Sequence, residues 1–292
     1  MNYKRGSLPG SFFALDNYTY VKYNMGMGTV LTGTSGYSYH EWVGPVYPEG
    51  IKANEYLAYY STLFPAVELN FSYYKMPEQA QIRRILEESQ NRLIFSVKAH
   101  ESLTHRVNPA IWQEKVATFC HALEPMAANG CLGAILLQFP FSFHYEADQR
   151  RYLDRLLKTL KDFPVAVEFR NSQWFNNRVI EGFRERNICL VSLDMPSLKG
   201  LPPVLDVVTA PFAYLRLHGR NGNTWWGSDG AERYNYLYND QELQAFVDRI
   251  RLLLTHAERV FVFFNNHRRG QAVQNGQSLA ALLKKAGLPC GT

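Results

Sequence analysis

Five apolar segments of the chain share one pattern, in which each segment ends in polar residues at alternate positions. In the clearest, residues 93–100, Ser96, Lys98 and His100 alternate with apolar side chains. Side chains two positions apart in a β-strand point to the same side, so these three residues share one face. The other segments end in the pairs Glu68 and Asn70, Glu168 and Arg170, Ser192 and Asp194, and Arg216 and His218. If the carboxyl ends of the five strands converge, these side chains form one polar site.

The whole chain alternates between apolar strand patterns and helical spacing. Strands are expected at residues 29–33, 65–70, 93–100, 132–139, 165–170, 188–194, 212–218 and 260–265. Helices are expected at residues 52–63, 77–89, 109–126, 148–161, 174–186, 242–256 and 272–286. Strands that are apolar along most of their length are typical of a parallel sheet covered on both faces. Eight such strands in about 260 residues predict an α/β fold, a TIM-like (β/α)8 barrel formed by a single domain.

Two parts of the chain fit this pattern less well. Residues 196–211 are rich in proline and show no helical spacing between the sixth and seventh strands. An open doubly wound sheet is the alternative, but it needs a glycine-rich phosphate turn after the first strand, and residues 33–36 match such a turn weakly. Residues 1–28 lack periodicity and are expected to be a poorly ordered or peripheral extension, so residues 29–290 form the predicted barrel domain.

Composition and charge narrow the classes of protein. The 292 residues are 46% hydrophobic and 20% charged, which is ordinary for a globular protein, and the net charge of +5 permits anionic partners without requiring them. No apolar run has the length of a membrane helix, so no membrane association is expected. The four cysteines form no C-x-x-C motif, which favours reduced thiols and a cytoplasmic location.

The predicted barrel would carry its active site at the carboxyl ends of the strands, where the polar pairs lie. Gln138 on the fourth strand and Asn265 and Asn266 on the eighth would join them. The mouth would then combine three carboxylates with three cations: Glu68, Glu168, Asp194, Lys98, Arg170 and Arg216. An ion-pair network that only ties strands together is one interpretation. Removing a charge from water costs several kcal/mol, however, so stability alone is a poor explanation for six charges in an apolar barrel.

The cations at the mouth favour a small anionic or phosphorylated ligand, because arginine grips phosphates and carboxylates through two parallel hydrogen bonds. Trp42 and Trp174 are expected near the mouth, where their rings would stack on a sugar or a base. A nucleotide-like substrate or a nucleic acid partner is therefore a further hypothesis. The aromatic segment 220–240 is either a lid over the mouth or a loop packed on its rim.

Each candidate residue receives a role in this hypothesis. Glu168 and His218 are the acid–base candidates, with His100 and Asp194 as further catalytic residues. Ten residues would bind substrate: Lys98, Arg170, Arg216, Glu68, Asn70, Gln138, Asn265, Asn266, Trp42 and Trp174.

The cofactor is left open by the sequence. His100, Glu168, Asp194 and His218 are residue types that hold zinc or manganese, but no two of them have a diagnostic spacing such as H-E-x-x-H. A Schiff base on Lys98 is another option that barrels support, and it would require a lowered pKa of this amine.

Several ordered motifs resemble those of one family. They include Gly33-Thr34-Ser35-Gly36-Tyr37, Val67-Glu68-Leu69-Asn70, Phe95-Ser96-Val97-Lys98-Ala99-His100, Leu137-Gln138-Phe139-Pro140, Glu168-Phe169-Arg170, Leu215-Arg216-Leu217-His218-Gly219 and Phe264-Asn265-Asn266. The chain resembles the YecE-like family, also called domain of unknown function family number 72, over about residues 29–285. The family often has tryptophan where this chain has Tyr37. The resemblance implies a TIM-like barrel and supplies no reaction.

Two functional hypotheses follow. The first is an enzyme, a hydrolase or lyase that acts on a phosphorylated or anionic substrate at the barrel mouth. The second is a non-catalytic protein that binds nucleic acid or a phosphorylated metabolite with the same cations and rings. Because this fold supports many unrelated chemistries, it does not choose between them.

Overall fold

The structure is a computed structural model, and it describes residues 28–228 and 230–291. The predicted extension, residues 1–28, lies outside the described residues except for Gly28.

Nine parallel strands form a nearly closed barrel. They are β1 (Thr29–Ser35), β2 (Ala66–Leu69), β3 (Ile94–Lys98), β4 (Leu132–Phe139), β5 (Val165–Phe169), β6 (Cys189–Leu190), β7 (Ser192–Asp194), β8 (Phe212–Leu217) and β9 (Arg259–Phe264). The strand order is β6-β5-β4-β3-β2-β1-β9-β8-β7, so the first strand pairs with both the second and the last. The predicted TIM-like barrel is thereby confirmed.

Helices cover the outside of this barrel. They are α1 (Tyr56–Tyr60), α2 (Phe71–Tyr74), α3 (Gln79–Glu88), α4 (Trp112–Ala128), α5 (Ala147–Thr159), α6 (Asn177–Arg184), α7 (Gly230–Arg233), α8 (Asp240–Leu254) and α9 (Gln271–Lys285). The segment between β7 and β8 contains no helix, as its prolines predicted. Within the described residues, no helix is long and apolar enough to span a membrane.

The alternation along β8 shows how the strands divide their side chains. Ala213, Leu215 and Leu217 belong to the apolar layer between barrel and helices. Tyr214 points the other way and packs with Phe261 and other residues of the barrel interior. Arg216 shares this inward face, since it stands two residues further along the strand. The interior is therefore apolar at its base and polar where the strands end.

The predicted sixth strand is divided at Val191 into β6 and β7. The Val191 amide still donates to the carbonyl of Val167 on β5, at 3.0 Å, so this residue joins the two ends of the sheet. Val191 and Leu193 pack in the barrel interior, which places Asp194 on the outer face. The expectation that Asp194 shares the mouth with the other polar pairs is therefore wrong.

Candidate functional site

A cavity of about 590 Å³ opens at the carboxyl ends of the strands. Gly36 ends β1 with φ +90°, a conformation that suits glycine, and the chain turns there so that Tyr37 and Tyr39 reach the cavity. Five predicted binding residues line it together with Arg216: Lys98, Arg170, Asn70, Gln138 and Asn265. The strand ends thus converge as the sequence pattern predicted.

Arg216 on β8 lies at the centre of the polar cluster, with 2% of its side chain exposed. Its Nε donates to Glu68 Oε2 at 2.9 Å and its Nη2 donates to Glu68 Oε1 at 2.7 Å, a bidentate pair across the barrel. The remaining Nη1 donates to Glu168. Tyr214 also donates to Glu68, at 2.8 Å. Both buried carboxylates are therefore matched by donors, which such a desolvated cluster needs for stability.

Glu168 on β5 joins the two arginines, since Arg170 donates to its other oxygen. Burial alone would raise the pKa of the Glu168 carboxyl, but Arg170, Arg216 and His218 beside it hold that pKa well below its usual range. Glu168 consequently remains a carboxylate at neutral pH and is poorly suited to carry a proton.

His218 is completely buried behind this pair. The Asn265 amide donates to His218 Nδ1 at 3.0 Å, which leaves the proton on Nε2. Nε2 lies 3.4 Å from Glu168 Oε1 but without the geometry of a hydrogen bond. Burial and the charge of Arg170 lower the pKa of His218 to about 3. The imidazole is therefore neutral near pH 7 and does not exchange protons there.

Lys98 at the end of β3 differs from the other cations. Its Nζ lies 4.2 Å from the centre of the Tyr73 ring. Among the residues that the structure describes, it has no hydrogen-bond or ion-pair partner. Burial, followed by the charge of Arg216, lowers the pKa of Lys98 to about 7. Near neutral pH the amine is therefore divided between its charged and neutral forms, as proton carriers in active sites require.

Two further histidines lie near the polar cluster, and one of them, His267, lines the cavity. His105 packs edge-on against Tyr73 at 5.0 Å, and burial together with the charge of Lys98 lowers its pKa to about 4. His267 stacks on Tyr39, with ring centres 4.6 Å apart, and lines the cavity.

The sequence interpretation omitted three residues that now belong to the site. Tyr214 had a usable signal, because it stands two positions before Arg216 on the inward face. His267 follows the predicted residues Asn265 and Asn266 directly and was nevertheless missed. Tyr234 comes from the long segment after β8, lines the cavity, and lies 5.7 Å from His218 between ring centres. Tyr234 belongs to the segment 220–240 that was expected at the mouth, but the sequence did not indicate its contact with His218.

The segment after β8 contributes to the wall of the cavity. Trp225 is buried, and the Arg170 guanidinium lies 5.8 Å from the centre of its ring. Together with Tyr234, this ring covers the arginine end of the cavity. The segment 220–240, expected to be either a lid or a loop packed on the rim, packs on the functional side chains in this structure.

Asp194 instead forms a separate cluster on the outer face of the barrel. Its carboxylate accepts three hydrogen bonds from Arg220, at 2.9, 3.2 and 2.7 Å, and one from the Tyr238 hydroxyl at 2.8 Å. Arg249 on α8 lies 3.5 Å away. These partners lie between the barrel and α8, and Asp194 is not among the residues that line the described cavity.

Seven further predicted residues also lie outside the lining of the described cavity: the buried Glu68, Glu168 and His218 described above, and His100, Asn266, Trp42 and Trp174. His100 accepts a hydrogen bond from the Ser102 amide and caps a short helical turn. Asn266 donates to the carbonyl of Tyr236 at 2.8 Å.

The two predicted tryptophans are buried, and each donates its indole N–H to a backbone carbonyl: Trp42 to His267 at 2.8 Å and Trp174 to Phe143 at 2.7 Å. Both contacts position loops at the mouth, and neither ring is available for stacking on a ligand.

The four residues considered as metal ligands do not come together. His218 contacts Glu168, whereas His100 and Asp194 lie in other environments. Across residues 28–228 and 230–291, no group of three or more His, Cys, Asp or Glu side chains has an arrangement that could hold a metal ion. The donor set therefore does not fit the divalent-metal site that the residue types suggested.

Comparisons with known proteins show which family the chain resembles. Residues 31–290 match the family described as protein of unknown function DUF72. The chain is 30% identical over 269 residues to UPF0759 protein YunF of Bacillus subtilis, covering 87% of this chain and 94% of that one. A DUF72 family protein from Thermotoga maritima has 35% identity and a TM-score of 0.80, covering 88% of this chain and 99% of the other. A DUF72 family protein from Enterococcus faecalis, at 24% identity and a TM-score of 0.78, shares the fold. On this similarity along nearly its whole described length, the chain belongs to the DUF72 family.

Proposed function

We propose that the chain is an enzyme, a hydrolase or lyase that acts on a phosphorylated or otherwise anionic substrate in the mouth cavity. One observation carries this proposal. Lys98 lines the cavity without a hydrogen-bond or ion-pair partner among the described residues, and its pKa is about 7. A proton carrier is most effective when its pKa lies near the working pH, because both protonation states are then available.

The charges around Lys98 support an anionic substrate. Glu68 and Glu168 together neutralise Arg216 and Arg170, so this group of four side chains has no net charge. A protonated Lys98 adds one uncompensated positive charge. An anion that enters the cavity meets this ammonium and the side of Arg170 that faces the cavity. The ligand would supply the negative charge that no described carboxylate provides in an ion pair with Lys98.

The proposal assigns different roles from those expected at the sequence level. The Lys98 ammonium that meets the anion donates a proton to the leaving group. The neutral amine that results accepts a proton from the attacking water of a hydrolase or from the substrate of a lyase, which restores the ammonium. Glu168 keeps the two arginines in position through its hydrogen bonds. Neither Glu168 nor His218 carries a proton in the reaction, since their own pKa values lie far from neutral. Developing negative charge on the substrate is stabilised by Arg170.

Turnover of a panel of phosphoesters, glycosides and carboxylated compounds tests this function. Lys98→Met should lower kcat/KM on any accepted compound by about 10²- to 10⁴-fold, the usual contribution of a proton carrier. Lys98→Arg should lose as much, because arginine keeps the charge but does not titrate near pH 7. Lys161→Met, a change at an exposed lysine, is the matched control and should retain activity.

Two outcomes would overturn the proposal. Full activity in Lys98→Arg would leave Lys98 with a purely electrostatic role. Tight binding of anions without turnover of any compound would favour the non-catalytic binder.

A further inference from the structure

The cavity has two chemically different halves. The inner half contains the cations and buried carboxylates described above. The outer half is formed by the loop after β1, by α2 and by α3. The residues that line it are Tyr37, Asn70, Tyr74, Gln81, Arg84 and Glu88. A single group such as phosphate fills a small part of 590 Å³, so the outer half has room for the rest of a larger substrate.

Two side-chain amides in the outer half are without partners. Neither end of the Asn70 amide forms a hydrogen bond with any described residue, and its Oδ1 is buried. The Gln81 amide on α3 likewise has no partner within the described chain. An unpaired polar group at a protein wall is costly unless water or a ligand completes its hydrogen bonds. Amides both donate and accept, which suits hydroxyl groups, since a hydroxyl does the same.

An aromatic face stands beside these amides. Tyr74 at the end of α2 lines the cavity although 78% of it is exposed. Its ring packs edge-on against Tyr73, with centres 4.9 Å apart, and most of its surface stays open to a ligand. An exposed ring at a cavity is a surface on which a flat ligand ring can lie.

The rim of the outer half adds groups that suit hydroxyls. Arg84 and Glu88 on α3 lie 3.6 Å apart, one turn from each other. Burial and the charge of Glu88 raise the pKa of Tyr37 to about 12, which keeps its phenol protonated and able to donate. Neutral amides, a phenol and a mutually compensated ion pair carry no excess charge. The outer half is therefore unsuited to a second anionic group and suited to a polyhydroxylated one.

We infer that the outer half of the cavity binds a sugar ring, so that the substrate is a sugar bearing a phosphate or another anionic group. The anionic group lies at Lys98 and Arg170, and this part of the inference rests on the proposed function. The sugar ring lies on Tyr74, and its hydroxyls bond to the amides of Asn70 and Gln81.

Calorimetric binding of three probes tests the inference at pH 7. Orthophosphate probes the inner half alone, glucose 6-phosphate adds a hydroxylated ring, and phenyl phosphate adds a ring without hydroxyls. We expect glucose 6-phosphate to bind at least about tenfold more tightly than orthophosphate, a difference of one or two good hydrogen bonds. Phenyl phosphate should bind more weakly than glucose 6-phosphate.

Variants test whether the tighter binding of glucose 6-phosphate depends on the outer half of the cavity. Tyr74→Ala and Gln81→Leu change side chains at the rim, and each should remove most of the advantage of glucose 6-phosphate while leaving the affinity for orthophosphate unchanged. Lys75→Ala, at an exposed neighbour of Tyr74 that does not line the described cavity, is the control and should keep the advantage.

The possible failures are distinguishable. If orthophosphate binds and glucose 6-phosphate gains nothing, the sugar inference fails while the proposed anion site stands. Tighter binding of phenyl phosphate, insensitive to Gln81→Leu, would also overturn it, since the outer half would then prefer an apolar ring. If no probe binds to the wild-type protein, the proposed anion site and the inference built on it both fail.

Discussion

Two buried clusters of carboxylates and arginines occupy opposite faces of the same barrel. The inner cluster joins Glu68 and Glu168 to Arg216 inside the mouth. The outer cluster joins Asp194 to Arg220 and Arg249 between the barrel and α8. The residue types are alike, and these three carboxylates all lie at or next to the last residue of a strand. Their surroundings differ, because the inner cluster borders a cavity with an unpaired lysine and the outer one is covered by a helix.

The comparison shows that buried charge alone does not identify a functional site. In the outer cluster Arg249 also holds Asp206 at 2.7 Å, and Arg220 also holds Glu242 at 3.0 Å, so each charge has its partner within the protein. These pairs fasten β7 and the following segment to α8. In the inner cluster the same kind of pairing leaves Lys98 without a counter-charge. The site is therefore marked by the charge that remains unpaired beside a cavity.

The largest expected difference between the clusters concerns stability. Arg216→Met leaves two buried carboxylates without their common partner and should lower the free energy of unfolding by roughly 3–5 kcal/mol. Arg220→Met in the outer cluster should cost roughly 1–2 kcal/mol, because 39% of that side chain is exposed and water can replace part of what it supplied. Urea denaturation at pH 7 measures both. Equal losses would remove the distinction between the clusters.

Lys98 makes the stability of the inner cluster depend on pH. Its pKa is about 7 in the folded protein and near 10.5 in the unfolded chain. Below pH 7 both states bind the proton, and the folded state bears the full cost of the buried ammonium. Between pH 7 and 10.5 the unfolded chain binds more protons, so the stability contributed at this position rises with pH.

Lys98→Met should consequently stabilise the protein at pH 6, by roughly 2–4 kcal/mol after allowance for partial exposure, and the gain should shrink as the pH approaches 10. Urea denaturation of both proteins at several pH values provides the measurement. Lys161→Met serves as control, since its exposed ammonium has no such cost. A gain that is the same at pH 6 and pH 10 would contradict the lowered pKa of Lys98.

The smallest expected effect is a shift in the titration of Lys98 itself. The negative charge of Glu168 raises the pKa of this amine against the larger effects of burial and Arg216. Glu168→Gln should therefore lower the pKa of Lys98 further, by about one unit. Asp194→Asn should leave it unchanged, because the outer cluster lies on the other face of the barrel. NMR titration of ¹³C-methylated lysines follows both variants, and equal shifts would mean that the clusters are electrically coupled.

Much of the fold was predictable from local pattern. Long apolar strands alternating with helical spacing indicated a parallel barrel, and the segment without helix before β8 was recognised by its prolines. The boundaries of β4 matched the prediction, whereas the sixth strand proved to be two short ones joined at Val191.

The site was predictable where the polar side chains of a strand, and not its apolar ones, point into the barrel near the strand end. Glu168 with Arg170 is such a pair. The pattern failed at Ser192 and Asp194, since both faces of a barrel strand are buried and Val191 and Leu193 compete for the interior. Ser192 and Asp194 face outward because their partners lie there: the carbonyl of Leu205 for Ser192 and Arg249 on α8 for Asp194. Both partners lie more than ten residues away along the chain.

By itself, the sequence determined the α/β class, the convergence of polar strand ends and the residue types at the mouth, because strand periodicity and the geometry of a parallel barrel depend on local order. Tertiary structure alone decided which charges are paired. Glu68 meets Arg216 across 148 positions of chain, and Tyr234 reaches the cavity from a distant loop. The pKa of Lys98 depends on these placements, since desolvation and the charges of Arg216 and Glu68 act through space and not along the chain.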